Sequence, residues 1–290
     1  MAFNGVYEAP EICITPCGLL GVARVTDHSL EDSDWIRKFS YIYDTQGTLR
    51  LLTTNDDTVT SGELFNSDGL VRYKEYSPFF IEVEDFSSTF GVLGVDRMAK
   101  IKKQLDAGTQ KAVERELWDG LAAKAASNSN IYLSGAQASV VHSGAHDPYM
   151  ALFHLEQAIS SSPLGEQGVI HMTRDVASVL DTRLVSGMNE DNKVFIQTRL
   201  GTPVIVGSGF TGNGPTGDAN AAASISNKWM YATGPIDVHL GKIEVVNENL
   251  GQGIDVSTMK NDMRLKAVRP AAAFFDPSIH YTVRVALPTH

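Results

Sequence analysis

The stretch from Asp85 to Ala126, DFSSTFGVLGVDRMAKIKKQLDAGTQKAVERELWDGLAAKAA, most constrains what this chain can become. Met98, Ile101, Leu105, Gly108, Ala112 and Leu117 recur at steps of three to five, near one stripe of a 3.6-residue helix. Arg97, Lys100, Lys102, Lys103, Asp106, Lys111, Glu114, Arg115 and Asp119 fall on the remaining faces, which are expected to be solvated. The pattern predicts one long helix over 85–126, started by Ser87, Ser88 or Thr89 as caps and stopped by Ser127-Asn128-Ser129-Asn130. Thirty residues of helix span about 45 Å, longer than a small domain is wide. Such a helix is a beam around which other elements must be arranged.

A chain of 290 residues, 43% of them hydrophobic, can bury a sizeable core in about two domains. A net charge of -10 and the lack of a long Lys/Arg run argue against tight, sequence-independent grip on nucleic acid. Cys13 and Cys17 have no second ligand pair nearby, so free thiols in a reducing compartment are expected rather than a closed zinc site. No secretory leader and no run of eighteen apolar residues is present, and neither secretion nor a membrane span is expected.

Taken in order, residues 1–34 show no period and read as an extended arm ordered by lying on something else. From Trp35 to Tyr76, alternating pieces separated by turn signals predict a long hairpin, whose strands carry Leu, Phe and Tyr without a core of their own. Phe79, Ile81 and Val83 form a strand leading into the helix. Residues 131–224 alternate short strands with helices at Asp147–Ser160 and Arg174–Thr182, a mixed α/β domain. After Trp229 the chain returns to strands, at 236–240, 242–246 and 263–268, the run Ala271–Phe275, and Tyr281–Leu287.

Two motifs invite a chemical reading. Gly207-Ser208-Gly209-Phe210-Thr211-Gly212 spells the dinucleotide fingerprint, but Asn213, Gly214, Pro215 and Gly217 follow at once, so no helix opens to present amides to a pyrophosphate. A mobile surface loop is the expectation. His142, His146 and His154, beside Asp147, have the composition of a metal site; Ser143-Gly144-Ala145 and Asp147-Pro148 read as loop, however, and not as the helix that would align H-x3-H. Neither Ser143 nor Ser161 sits in a nucleophile elbow. No catalytic, cofactor-binding or metal site is expected, and no enzyme.

The order arm, hairpin, strand, beam-like helix, α/β domain and final strands resembles the major capsid proteins of tailed bacteriophages, with the Hong Kong 97-type fold. The wording PFFIEVEDFSSTFGVLGVDRMAKIKKQLDAGTQKAVERELWDG (78–120) and RPAAAFFDPSIHYTVRV (269–285) is similar to such shell subunits. The resemblance implies an α+β fold with an N-terminal arm (1–34), an extended β-hairpin loop (35–76), a peripheral domain (77–130 and 225–290) holding the spine helix 85–126, and an axial domain (131–224). It implies self-assembly into hexamers and pentamers of an icosahedral virion head around double-stranded DNA, contacted weakly, in the host cytoplasm. Further partners would be scaffolding, portal and decoration proteins, any scaffold being a separate protein. An encapsulin-type nanocompartment shell is the alternative with the same fold; a dinucleotide-dependent soluble enzyme is the alternative from another class. Some family members join subunits by an isopeptide bond from a loop lysine to a neighbour's asparagine. Residues 39–73 contain no lysine, and Lys38 and Lys74 lie only at the loop's base, so noncovalent contacts are expected.

Overall fold

The computed structural model describes residues 17–28, 35, 38–43, 48–50, 63–66, 72–88, 97–161, 168–188, 194–247 and 262–288. After Cys17 the chain makes one helical turn, α1 (Leu19–Val22), and then a strand, β1 (Arg24–His28). Part of the expected arm is therefore sheet; it was hidden because its partner lies 213 residues on, where Asp237 stands opposite Arg24. The hairpin is present as two ladders. β2 (Phe39–Tyr43) pairs with β5 (Arg72–Tyr76), and β3 (Thr48–Arg50) pairs with β4 (Glu63–Asn66), both antiparallel. The expected strand residues 51–54 lie outside the described residues.

β6 (Phe79–Ser88) runs further than expected, and α2 (Arg97–Asp119) starts later. Asp85 to Ser88 complete a ladder whose partners run from Leu265 back to Asp262, so Ser87 and Ser88 are strand residues and not helix caps. The far end is also earlier. Gly120 adopts a left-handed conformation (φ 60°), where an added Cβ would enter the Tyr132 ring, and it ends α2 before a separate turn, α3 (Leu121–Ala125). Glu116 accepts from the amides of Ala122 (2.6 Å) and Ala123 (3.0 Å), which stabilises the start of that turn. At 23 residues α2 is about 35 Å long, not 45 Å.

The buried face of α2 is Ile101, Leu105, Thr109, Val113 and Leu117, a strict i, i+4 row. The expected stripe was misplaced at its edges: Met98 is half exposed and Gly108 is exposed. Beyond α3 come β7 (Ser139–His146), α4 (Pro148–Ser160), β8 (Val169–Met172), α5 (Arg174–Val179), β9 (Leu184–Met188), β10 (Val194–Thr198) and β11 (Pro203–Val206). The chain ends with β12 (Asn227–Thr233), β13 (Ile236–Gly241), β14 (Glu244–Asn247), β15 (Asp262–Phe275) and β16 (His280–Ala286). Ile131–Leu133 makes no strand. β15 joins two pieces read separately, and Pro270 falls where β15 changes partner on one side from β14 to β13, a place where that ladder is already interrupted.

Two large sheets result. One has the order β1-β13-β15-β14, with β6 also on β15; the other has seven strands, β7-β16-β12-β8-β11-β10-β9. The second sheet cuts across the expected division at 224, because β12 and β16, read with the peripheral domain, sit near its middle. Apolar residues of α2 pack with Phe79, Ile81, Val238, Leu265 and Phe275 in one core. Leu152, Leu155 and Ile159 of α4 pack with Ile170, Met230, Val283 and Val285 in the other. Among the described residues no helix is long and apolar enough to cross a membrane.

Candidate assembly interface

Glu114 lies in the C-terminal third of α2 and is fully buried, although the sequence pattern put it in solvent. Its Oε1 accepts from the Leu19 amide (3.0 Å), and its Oε2 accepts from the Gly209 amide (2.8 Å) and the Ser208 hydroxyl (3.2 Å). One side chain thus joins the N-terminal segment, the spine and the Gly-rich loop. One turn on, Asp119 Oδ1 accepts from the Thr211 hydroxyl (3.0 Å) and the Asn213 amide group (3.1 Å). Its Oδ2 lies 2.8 Å from Arg115 Nε, an ion pair without hydrogen-bond alignment. Trp118 Nε1 and the Tyr231 hydroxyl both donate to the Asn213 carbonyl, each at 3.0 Å. Burial pushes the Tyr231 phenol well above its ordinary pKa.

The loop expected to be mobile is therefore seated on the spine. Gly207, Gly209, Phe210, Gly212, Gly214 and Pro215 are buried. The glycine at 209 is needed for approach, since a Cβ there would collide with the Lys111 carbonyl and the Glu114 Cβ. Its amide is used inside the protein, and no helix follows Gly212, so the fingerprint spelling has a packing cause.

Among the described residues, the hairpin is anchored at its base. Phe39 and Tyr76 are buried with Trp35, Ala272 and Phe274, and the His28 and His239 rings stack beside them at 4.8 Å. Lys38, one of the two lysines nearest the loop, donates to Glu75 at 2.9 Å on the exposed side of the ladder. Across the body, Arg24 makes a two-pronged contact with buried Asp237 (2.5 and 2.7 Å), and Arg97 holds Asp85 at 3.0 Å, tying spine to strand. Arg269 reaches Asp106 at 2.9 Å. Large apolar side chains are exposed at Val140, Met150 and Phe153 around β7 and α4, and at Leu200 and Ile225.

Ser143 lies on β7, and Ser161 caps the end of α4, where its hydroxyl donates to the Gln157 carbonyl at 2.8 Å. Cys17 is a free thiol whose pKa is raised by burial, partly offset by Arg174, and Cys13 lies outside the described residues. His142, His146 and His154 do meet. The reading of 143–145 as loop missed this because β7 continues irregularly through them. The pKa of His154 is lowered, first by burial and then by its two histidine neighbours.

In overall structure the chain is similar to the capsid of an empty GTA particle, with a TM-score of 0.59 at 10% identity, covering 99% of this chain and 96% of that one. It is similar to a chain of Gordonia phage Cozz, with a TM-score of 0.56 at 12% identity, covering 99% and 92%. The fold is of the Hong Kong 97 type. This fold is also that of the holo-SrpI encapsulin complex from Synechococcus elongatus PCC 7942, matched with a TM-score of 0.57 at 12% identity over 99% and 94%. No protein-family model matches the sequence. No curated protein matches it either. In the terms of this fold, α2 is the spine helix and the β2 to β5 excursion is the extended loop.

Proposed function

We propose that this chain is the major capsid protein of a tailed bacteriophage, a non-enzymatic subunit that assembles through hexamers and pentamers into an icosahedral head around double-stranded DNA. The observation that carries the reading is the likeness, over 99% of the chain, to the capsid of a GTA particle and to a chain of Gordonia phage Cozz. In this reading residues 1–34 are the arm, 35–76 the extended loop, 77–130 and 225–290 the peripheral domain, and 131–224 the axial domain, with β12 and β16 continuing the axial sheet. A net charge of -10 suits a wall that encloses DNA without gripping it. Assembly takes place in the host cytoplasm, with portal, scaffolding and decoration proteins as further partners, and the mature subunit resides in the virion.

The loop supports self-association. Its two ladders join no other sheet among the described residues, and a two-strand ribbon is marginal alone in water. Neighbouring copies supply the missing surface. The encapsulin likeness supports a second reading, a nanocompartment with protein cargo. Electron microscopy of the expressed full chain is expected to show closed shells; a monodisperse monomer at high concentration overturns both readings. Nucleic-acid and protein analysis of particles from the native source separates them, DNA favouring the head and a packaged enzyme favouring the compartment. Deleting residues 44–70 is expected to leave folded subunits that form no shells, and intact shells would refute the loop's role.

A further inference from the structure

His142, His146 and His154 stand in an H-x3-H-x7-H spacing that no regular element would gather. In an undistorted strand, residues four apart are about 13 Å from each other. Here β7 slips against β16: Val140 pairs with Thr282 but Ala145 with Arg284, so five steps of β7 are matched to two of its partner. The surplus chain folds out, with Gly144 at φ 99°, and brings His146 Nε2 to 2.8 Å from His142 Nδ1. The third ring comes from α4, whose first turn is held by Asp147 accepting from the amides of Tyr149 (3.0 Å) and Met150 (3.2 Å). His154 stacks on His142 with ring centroids 4.7 Å apart and stands 4.9 Å from His146. One ring nitrogen from each residue lies within 4.8 Å of the others.

We propose that these three histidines bind one divalent transition-metal ion of the zinc class, with a fourth position open to water. Three imidazoles, with no carboxylate grouped with them among the described residues, make a donor set that suits Zn²⁺, Cu²⁺ or Ni²⁺ and not Mg²⁺ or Ca²⁺. Nitrogens bound tetrahedrally at about 2.0–2.1 Å stand about 3.3 Å apart, so ring nitrogens already within 4.8 Å of one another reach that spacing by small ring rotations. His142 Nδ1 also lies 2.9 Å from the Ser143 carbonyl, which can only accept. That contact places the proton on Nδ1 and leaves lone pairs on His142 Nε2 and His146 Nε2, the outer-partner arrangement common to metal-bound histidines. β7 is the terminal strand of its sheet and His142 is exposed, so an ion reaches the site from solvent.

The test uses the full-length protein stripped of metal and titrated with Co²⁺, read by visible absorption, then challenged with Zn²⁺. One Co²⁺ per chain with intense four-coordinate bands, displaced by Zn²⁺, is the expected result. His142→Ala and His154→Ala, on separate elements, should each weaken Zn²⁺ binding by more than about 100-fold, since losing an outer partner alone costs about 10- to 100-fold. Unfolding curves of the metal-free variants that match the parent show that the fold is retained; His154→Gln serves where His154→Ala fails that check. His28→Ala, at the other histidine pair, should leave binding unchanged. Uptake that survives the His142 and His154 substitutions, or occurs only at millimolar Zn²⁺, overturns the proposal.

Discussion

The two helices that back the two sheets are held by opposite means. α4 sits on the seven-stranded sheet through Ala151, Leu152, Leu155 and Ile159 and leaves Met150 and Phe153 in the open. α2 has an apolar row of the same kind but also buries Thr109, Gln110, Glu114 and Asp119. Apolar burial is strong but non-directional; it says which face goes inside. Hydrogen bonds to a buried carboxyl say which segment goes where, because each misplaced donor would be left unmade. Glu114 does this for two segments, each about a third of the chain away in sequence. The spine helix is a locating element, whereas α4 is a cover.

The sharpest way to break this contrast is Glu114→Ala. It strips the partners from the Leu19 and Gly209 amides and the Ser208 hydroxyl, and denaturant unfolding should show a loss of about 5 kcal/mol. A loss like that of an exposed residue would make α2 no different from α4.

Acid tests the seven-stranded sheet. Burial lowers the pKa of His171 on β8 to about 3 and that of His280 on β16 to about 4, and neither Nδ1 has a hydrogen-bond partner among the described residues. Folding keeps both rings neutral while the unfolded chain protonates near its ordinary value of about 6.5. Stability is therefore full above pH ~6.5 and falls as pH drops toward the folded values, at up to about 1.4 kcal/mol per pH unit for each ring. Near pH 5 the pair should have cost about 4 kcal/mol, and a flat profile between pH 7 and 5 would contradict the neutral burial. Leu155→Ala, in the apolar seat of α4, should cost about 3 kcal/mol through cavity formation, with the loop and N-terminal segment still in place by proteolysis. The smallest effect is at the hairpin base. Lys38→Ala should cost less than about 1 kcal/mol, and purified particles boiled with detergent and reductant should run as one band at the subunit mass in parent and variant alike. A ladder of multiples would show covalent joining.

How much of this was legible follows from the same contrast. Period-2 and period-3.6 patterns report apolar burial, so Pro203–Val206 and the body of α4 were read almost as they stand. Glu114 was not, because a charged residue among lysines and arginines on a helix reads as solvated until its donors, which lie far off in sequence, are known. The glycines of 207–214 read as looseness in the sequence, whereas Gly209 serves close approach, and the stop at Gly120 depends on a left-handed turn packed on the Tyr132 ring, twelve residues further on. The histidines were named from composition, but their meeting depends on a register slip that local spacing does not encode.

The strand order also bears on synthesis. β15 is the strand that β6, β13 and β14 all need, and β16 bridges β7 to β12, yet in chain order each follows every strand it pairs with. Neither sheet can close before these two strands have been synthesised, however early α2 and α4 form. A chain truncated before β15 lacks the strand on which three others pair and the bridge between β7 and β12, and it offers raw edges to proteases and chaperones. Synthesis of β15 and β16 is thus the step at which both sheets close.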